Sequence, residues 1–347
     1  MKFLLNGYFG WGNAGDEAVL AAMISHLREA RSGAQFCATA GDVENTKTKF
    51  GIEAVGRQAP RELLSALQGC DVFLSGGGSL VQDVTSVRNV VYYTTLLRLA
   101  KLSGKPTMVY AQGVGPLRKP ISQKLARAAF NSASLITVRD EESAQLLRKI
   151  GVTQSAQITA DPVWGLEPRP LASAPDFPAK TWLMALRSWP HHDEKSVARG
   201  VKAIREHAQK RGASLRFLPM QPGPDTQILE GLAQPSEILD TRAMHPSEIL
   251  ALAQRCELML AMRLHALIFA LAGGVPVVAF DYDPKVSAVA KLSRAPLVAS
   301  PSETELATLG EKIDAASAPD AALRADLASR ARQNAALAVG LLPRGAA

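Results

Sequence analysis

The sequence predicts an α/β protein of two domains, each built on a parallel sheet covered by helices. Three observations carry this. Short apolar segments alternate with helical ones along both halves, a pattern that favours parallel sheets. The stretch "DPVWGLEPRPLASAPDFPAK" (161–180) separates the halves with five prolines, which interrupt regular structure. The chain has 347 residues, 47% of them hydrophobic and 20% charged, enough for a large core. The expected boundaries are 1–165 for the first domain, 166–179 for the linker and 180–347 for the second. The terminal helices are left free to cross back to the first domain.

The first half opens on Phe3, Leu4 and Leu5, a short buried strand, followed by "GYFGWGNAGDEAVL" from Gly7. Gly7, Gly10, Gly12 and Gly15 permit unusual dihedral angles and close approach by another surface. Asp16 and Glu17 then lead into "AVLAAMISHLREA", whose Val19, Leu20, Met23, Ile24 and Leu27 fall at helical spacing. Acidic residues in the first turn suit the helix dipole. This strand, glycine turn and helix match neither GxGxxG nor GxxxxGK. A ligand loop and a tight structural turn both remain open from these residues alone.

"AQFCATA", "CDVFLSGGG", "PTMVYAQGVGP" and "SLITVRD" follow as strands, with helices near 61–68, 87–101, 123–131 and 141–150. "GDVENTKTKFGIEAVGR" is less regular and reads as a loop rim. In the second half the strands are "TWLMALRSW", "ASLRFLPM", "ELMLA" and "VPVVAFDYD", with a helix near 195–210. The tail from Pro301 reads as surface-packed helices.

Composition narrows the function class. Lys and Arg exceed Asp and Glu by 39 to 32, a formal charge of +7 that suits phosphorylated substrates or an anionic membrane surface. No basic stripe with interleaved aromatic residues is present, so no nucleic-acid partner is expected. Cys37, Cys70 and Cys256 have neither metal-ligand nor disulfide spacing and read as buried thiols. Asp281 and Asp283 do not specify a metal by proximity, and neither metal nor cofactor is expected. Without a secretion signal or a long apolar run, the expectation is a cytoplasmic enzyme, compatible with transient contact at the inner membrane surface.

Taken together, "GYFGWGNAGDEAVL", "FLSGGGSLVQD", "YAQGVGP", "TVRDEES", the Asp161–Pro162 pair and "MRLHALIFALAGGVPVVAFDYDPKV" resemble the polysaccharide pyruvyl transferase family, particularly its CsaB-type members. The resemblance extends from about Met1 to Lys291. It implies two Rossmann-like domains in a GT-B-like arrangement facing an inter-domain cleft, the first on the acceptor side and the second on the donor side. It also implies transfer of a pyruvyl group from phosphoenolpyruvate to a sugar, usually as a cyclic ketal. The CsaB-type resemblance points to N-acetylmannosamine in a cell-wall polysaccharide, or its lipid-linked precursor, that anchors surface-layer proteins. A nucleotide-sugar glycosyltransferase, or a non-catalytic sugar- or anion-binding protein, would share much of this pattern.

The donor carries a phosphate and a carboxylate, which guanidinium groups bind bidentately. Protonation of its double bond needs a general acid–base group and no redox cofactor. His265, in "MRLHALIF", is the leading acid–base candidate, since histidine exchanges protons near neutral pH. A lone histidine among apolar residues also suits packing; the RxH context shared with the family favours catalysis. Arg263 is assigned to phosphate or carboxylate, provided the turn before the helix carries it. Arg139 and Arg187 each follow an apolar segment, where a side chain can face the crevice at strand ends. Arg139 is assigned to active-site organisation, with an ion pair to Asp140 as the alternative; Arg187 and Lys285 are anion contacts. The acceptor side is assigned to Asn13, Asp16, Glu17, Gly76, Gly77, Gly78, Ser79, Gln82 and Gln112. Asp83 suits a sugar hydroxyl or a helix start, and Asp161 a structural place at the hinge. His26 is placed on the polar side of the first helix, and His191, His192 and His207 at the surface.

Overall fold

The computed structural model describes residues 1–172, 177–178, 180–188 and 194–341. The chain forms two compact units. The first comprises Met1–Trp11, Asp16–Leu166 and the chain from Leu327; the second comprises Gly12–Gly15 and Glu167–Asp326. The chain from Leu327 lies in the first unit, a crossing that the sequence reading left open, whereas the placement of Gly12–Gly15 in the second unit departs from the boundaries drawn on sequence. The C-terminal helix Ala321–Val339 is fixed into the first unit by buried Asn334. Its amide oxygen accepts from the Thr137 and Thr159 hydroxyls at 2.7 and 2.9 Å. The residues Gly12–Gly15 join the second unit, where the Ala14 amide donates to the Met220 carbonyl at 2.6 Å.

The strands of the first unit are β1 (Lys2–Phe9), β2 (Gln35–Ala40), β3 (Glu53–Gly56), β4 (Val72–Ser75), β5 (Gly78–Val81), β6 (Thr107–Val114), β7 (Leu135–Val138) and β8 (Ala156–Ile158). They form one parallel sheet in the order β3-β2-β1-β4-β6-β7-β8. β5 pairs with the C-terminal half of β6, whose N-terminal half pairs with β4. Strands β4 and β5 thus lie along one side of β6, joined through Gly76 and Gly77. Leu4, Phe73, Val109 and Ile136 supply the middle of the core. Their continuous burial explains why these strands are apolar throughout rather than alternating.

The loop rim expected at 41–57 instead contains a helix and a strand. Asp42 caps the helix Val43–Phe50 by accepting from the Asn45 amide at 3.0 Å, and Gly51 ends it at φ 62°. Only Thr46 and Phe50 of this helix are buried, so its apolar signal is weak. β3 then pairs with β2 at the sheet edge.

The second unit carries β9 (Thr181–Ala185), β10 (Ser214–Phe217), β11 (Leu258–Ala261), β12 (Val277–Phe280) and β13 (Leu297–Val298). They form a parallel sheet in the order β10-β9-β11-β12-β13. Trp182, Met184, Leu260 and Val278 pack with Ile204 and Val201 of the helix Glu194–Lys210. Each unit is thus a doubly wound sheet with one reversal of strand order: between β1 and β4 in the first, between β9 and β11 in the second. Ligands of such sheets bind outside the carboxyl ends of the strands at this reversal.

Candidate active site

In the second unit the reversal is flanked by two arginines. β9 and β11 pair as far as Ala185 and Ala261, and the Met262 amide donates to the Ala185 carbonyl at 3.0 Å. Arg187 and Arg263 each stand two residues beyond these paired alanines, at the carboxyl ends of adjacent strands. Arg263 has extended backbone geometry (φ −78°, ψ 119°) and is the N-cap of the helix Leu264–Ala272. His265 is the second residue of that helix. The turn therefore does carry Arg263, as convergence with His265 requires. A helix start also concentrates partial positive charge, which favours an anion.

The surroundings hold these groups in defined positions. Arg263 Nη2 is paired with Asp225, whose side chain is only 2% exposed. The other oxygen of Asp225 accepts the amides of Met220 and Gln221 at 3.0 and 2.9 Å. The loop after β10 is thereby tied to the arginine. Arg187 Nη1 donates to the Tyr282 hydroxyl at 3.1 Å, with its guanidinium 4.6 Å from the ring centre. The Nε atoms of Arg187 and Arg263 are buried and have no hydrogen-bond partner among the described residues. A buried, unpaired donor costs free energy, on the order of 1–3 kcal/mol, that an anionic ligand can recover. Lys285 lies in the first turn of the helix Pro284–Ser293, its ammonium 3.2 Å from Asp283. It is thus engaged by a neighbouring carboxylate as well as facing Tyr282 at 5.7 Å. Asp225 and Tyr282 were missed on sequence. Their signals were slight: an aspartate in "PGPDT" and an aromatic residue just past a strand end.

Within the second unit His265 is packed directly against Gly15. A β-carbon at Gly15 would overlap the imidazole, lying 2.6 Å from its Cγ and 2.9 Å from its Cβ. Asn13 accepts the Gly15 amide at 3.0 Å through its side-chain oxygen, capping the first helix beside this contact. The absence of a side chain at Gly15 is what admits the ring. A cavity of about 580 Å³ lies beside Arg187, lined also by Lys195, Glu194, Gln227 and Gly231.

The first unit groups the remaining candidates differently from the sequence expectation. Arg139 is buried and fully engaged: Nε reaches Asp140 at 3.3 Å, Nη1 reaches Asp161 at 3.0 Å and Nη2 donates to Ser79 at 3.0 Å. It braces β5, β7 and the turn at Asp161 instead of presenting an open cation. Ser79 is accordingly an arginine partner. Gln112 is buried and donates to the Ser75 hydroxyl at 2.8 Å. Gln82 folds back on its own turn, accepting the Val84 amide at 2.8 Å. Asp83 accepts the amides of Arg118 and Lys119 at 2.8 and 2.7 Å.

Gly76 and Gly77 face the interior: a β-carbon would meet Met23 Sδ at 3.1 Å and Val19 Cγ1 at 2.9 Å, respectively. They serve close packing of the first helix. Gly78 differs, with φ +87° and Asp16 Oδ1 3.1 Å from a notional β-carbon. Glu17 is only 5% exposed and accepts the Gly10 amide at 2.7 Å. Burial pushes its carboxyl up to about 7, against the opposing hydrogen bond from Gly10. Its observed role is to hold the glycine loop. His26, expected on a polar face, is 2% exposed with Nε2 2.9 Å from the Gly165 carbonyl oxygen. His207 is half-buried beside Arg211, while His191 and His192 lie outside the described residues. The three cysteines are buried, and burial pushes their thiols up to about 11 for Cys37 and Cys70 and about 12 for Cys256. Among the described residues no cluster of His, Cys, Asp and Glu has the makings of a metal site. No described helix is long and apolar enough to cross a membrane.

Similar folds occur among sugar-nucleotide enzymes. UDP-GlcNAc 2-epimerase from Neisseria meningitidis, bound to UDP-GlcNAc, superposes with a TM-score of 0.63 at 14% identity, covering 98% of this chain and 99% of that one. The enzyme from Methanocaldococcus jannaschii gives 0.61 at 10% identity, covering 90% and 91%. The spinosyn rhamnosyltransferase SpnG, complexed with thymidine diphosphate, gives 0.51 at 14% identity, covering 99% and 97%. At such identities the likeness shows the fold, which is of the GT-B class. No curated protein sequence matches the chain. The family model for polysaccharide pyruvyl transferase matches residues 13–284, a span that takes in the glycine motif from Asn13 onward, Arg139, Arg187, Asp225, Arg263 and His265. The chain therefore belongs to the polysaccharide pyruvyl transferase family and is a transferase.

Proposed function

We propose that this transferase moves the pyruvyl group of phosphoenolpyruvate onto a sugar of a cell-wall polysaccharide or its lipid-linked precursor, closing a cyclic ketal on N-acetylmannosamine. The observation that carries the donor assignment is the pair Arg187 and Arg263 at the strand-order reversal. Each has a buried donor without a partner among the described residues, and Arg263 caps the helix start that carries His265. Two guanidinium groups suit a ligand with a phosphate at one end and a carboxylate at the other.

In this reading His265 protonates the methylene carbon, and a sugar hydroxyl oxygen bonds to the adjacent carbon as the double bond is lost. The carbon–oxygen bond to phosphate breaks, and a second hydroxyl closes the ketal. Of the two hydroxyl protons, one is matched by the new methyl hydrogen and the other leaves with phosphate. His265 is suited to give the first proton and recover one from the sugar. Arg263 and Arg187 hold the phosphate as charge gathers on it. Arg139 is a positioning residue within the first unit. Asn13 and Asp16 belong to the acceptor side.

The test is incubation with phosphoenolpyruvate and a panel of N-acetylmannosamine-containing glycans, with phosphate release and the ketal followed by mass spectrometry. A product heavier by one pyruvyl ketal is expected. Nucleoside diphosphate released from a nucleotide sugar, with no pyruvylated product, would instead establish the glycosyltransferase reading. That second reading draws on the cavity beside Arg187, which has the volume of a nucleotide-sized site.

A further inference from the structure

The first unit carries an aromatic platform that neither the donor chemistry nor the glycine loop explains. Trp11 is 45% exposed, the first large side chain after β1. Its indole stacks on Tyr8, with centroids 5.8 Å apart and planes at 18°. It also lies against backbone: a β-carbon at Gly41 would come within 2.5 Å of its Cε2. The exposed ring is thus a fixed flat surface rather than a loose side chain.

Tyr8 connects this surface to a charged group. The Arg57 guanidinium lies 4.2 Å from the Tyr92 ring centre, 5.1 Å from Tyr93 and 5.8 Å from Tyr8. No carboxylate is paired with it among the described residues. Burial first, and then the nearby Asp16 carboxylate, raises the Tyr8 hydroxyl, while Arg57 opposes the shift. Asp16 therefore stands close to the same cluster, beside Gly78. The Tyr93 hydroxyl is buried without a hydrogen-bond partner among the described residues.

We propose that Trp11, backed by Tyr8, is the stacking platform for a pyranose ring of the acceptor glycan, with Arg57 and Asp16 addressing its hydroxyl and acyl oxygens. A sugar ring presents a flat apolar face of C–H groups and a polar rim. An exposed aromatic ring, stacked on a tyrosine that has one cation and one carboxylate near it, matches both parts. The platform lies beyond the carboxyl ends of β1 and β2, against Gly41, at the end of the sheet where such folds bind ligands. The identity of the sugar as acceptor rests on the pyruvyl-transfer reading; its binding to Trp11 does not.

The test follows saturation transfer by NMR from the whole protein to methyl glycosides of N-acetylmannosamine, mannose, glucose and galactose. Wild type, Trp11→Ala, Trp11→Phe and Arg57→Lys are compared. Loss of one stacked aromatic contact should weaken binding of the preferred glycoside about tenfold in Trp11→Ala, with Trp11→Phe recovering most of it. Phosphoenolpyruvate binding, measured by calorimetry on the same samples, should be unchanged and reports that the variants are folded. Equal glycoside binding by wild type and Trp11→Ala overturns the proposal, as does the lack of binding to any of the four. Trp11-dependent binding without pyruvyl transfer would leave the platform standing and defeat only the reaction.

Discussion

Replacing Gly15 with alanine places one methyl group against the imidazole assigned to proton transfer. Gly15 does not have a positive φ, so alanine can adopt its backbone, and in a helix alanine is favoured over glycine by about 0.5–1 kcal/mol. The variant should therefore fold. The cost falls on His265: its Cγ would stand 2.6 Å from the new methyl, whereas ordinary contact begins at 3.4 Å. The ring must retreat by roughly 0.8 Å or more, because Nδ1 stands closer still than Cγ, and misplacement of about 1 Å can cost on the order of 10²-fold in rate. That is about 2.7 kcal/mol of lost transition-state stabilisation. Single-turnover release of phosphate from phosphoenolpyruvate, in the presence of acceptor, measures it. The same change in a His265→Ala background should cost far less, because the group it displaces is gone. Wild-type turnover in Gly15→Ala, or an undiminished loss in the double variant, would refute the link between this packing and catalysis.

Other outcomes follow from the same geometry. His265→Ala should lose about 10²–10⁴-fold in single-turnover rate while retaining much of its donor affinity, read by calorimetry. Near-wild-type chemistry would remove it from the mechanism. Arg263→Ala should instead weaken phosphoenolpyruvate binding, and unchanged binding and turnover would return Arg263 to a structural ion pair with Asp225. Glu17 gives a pH prediction. Its folded carboxyl is raised to about 7 from 4.5, so the folded state holds a proton that the unfolded chain releases. That contribution is fully present below the unfolded value and is lost as pH rises from about 4.5 to about 7. Glu17→Gln keeps an acceptor for the Gly10 amide but removes the titration. Its stability relative to wild type, by urea denaturation, should therefore rise between pH 5 and pH 8, and a flat difference would contradict the burial argument.

Much of this protein is legible in its sequence because the relevant physics is local. Short continuous apolar runs such as Phe3–Leu5 and "VPVVAF" suit strands buried on both faces, and their alternation with helices points to the fold class. The arginines at strand ends are legible for the same reason, since a polar side chain just past a buried run must lie at the sheet's carboxyl edge. The amphipathic signal fails for Val43–Phe50, where only two residues meet the core. What the sequence does not determine is which polar groups face one another. Arg139 and Arg263 read alike in one dimension. The fold surrounds Arg139 with Ser79, Asp140 and Asp161, giving each of its three nitrogens a partner, whereas among the described residues Arg263 pairs with one carboxylate, Asp225, and its Nε has no partner. Likewise Gly76 and Gly77 pack on a helix while Gly15 makes room for a histidine 250 positions away. Ion pairing and steric room depend on distances across the sheet, and only the tertiary structure sets those.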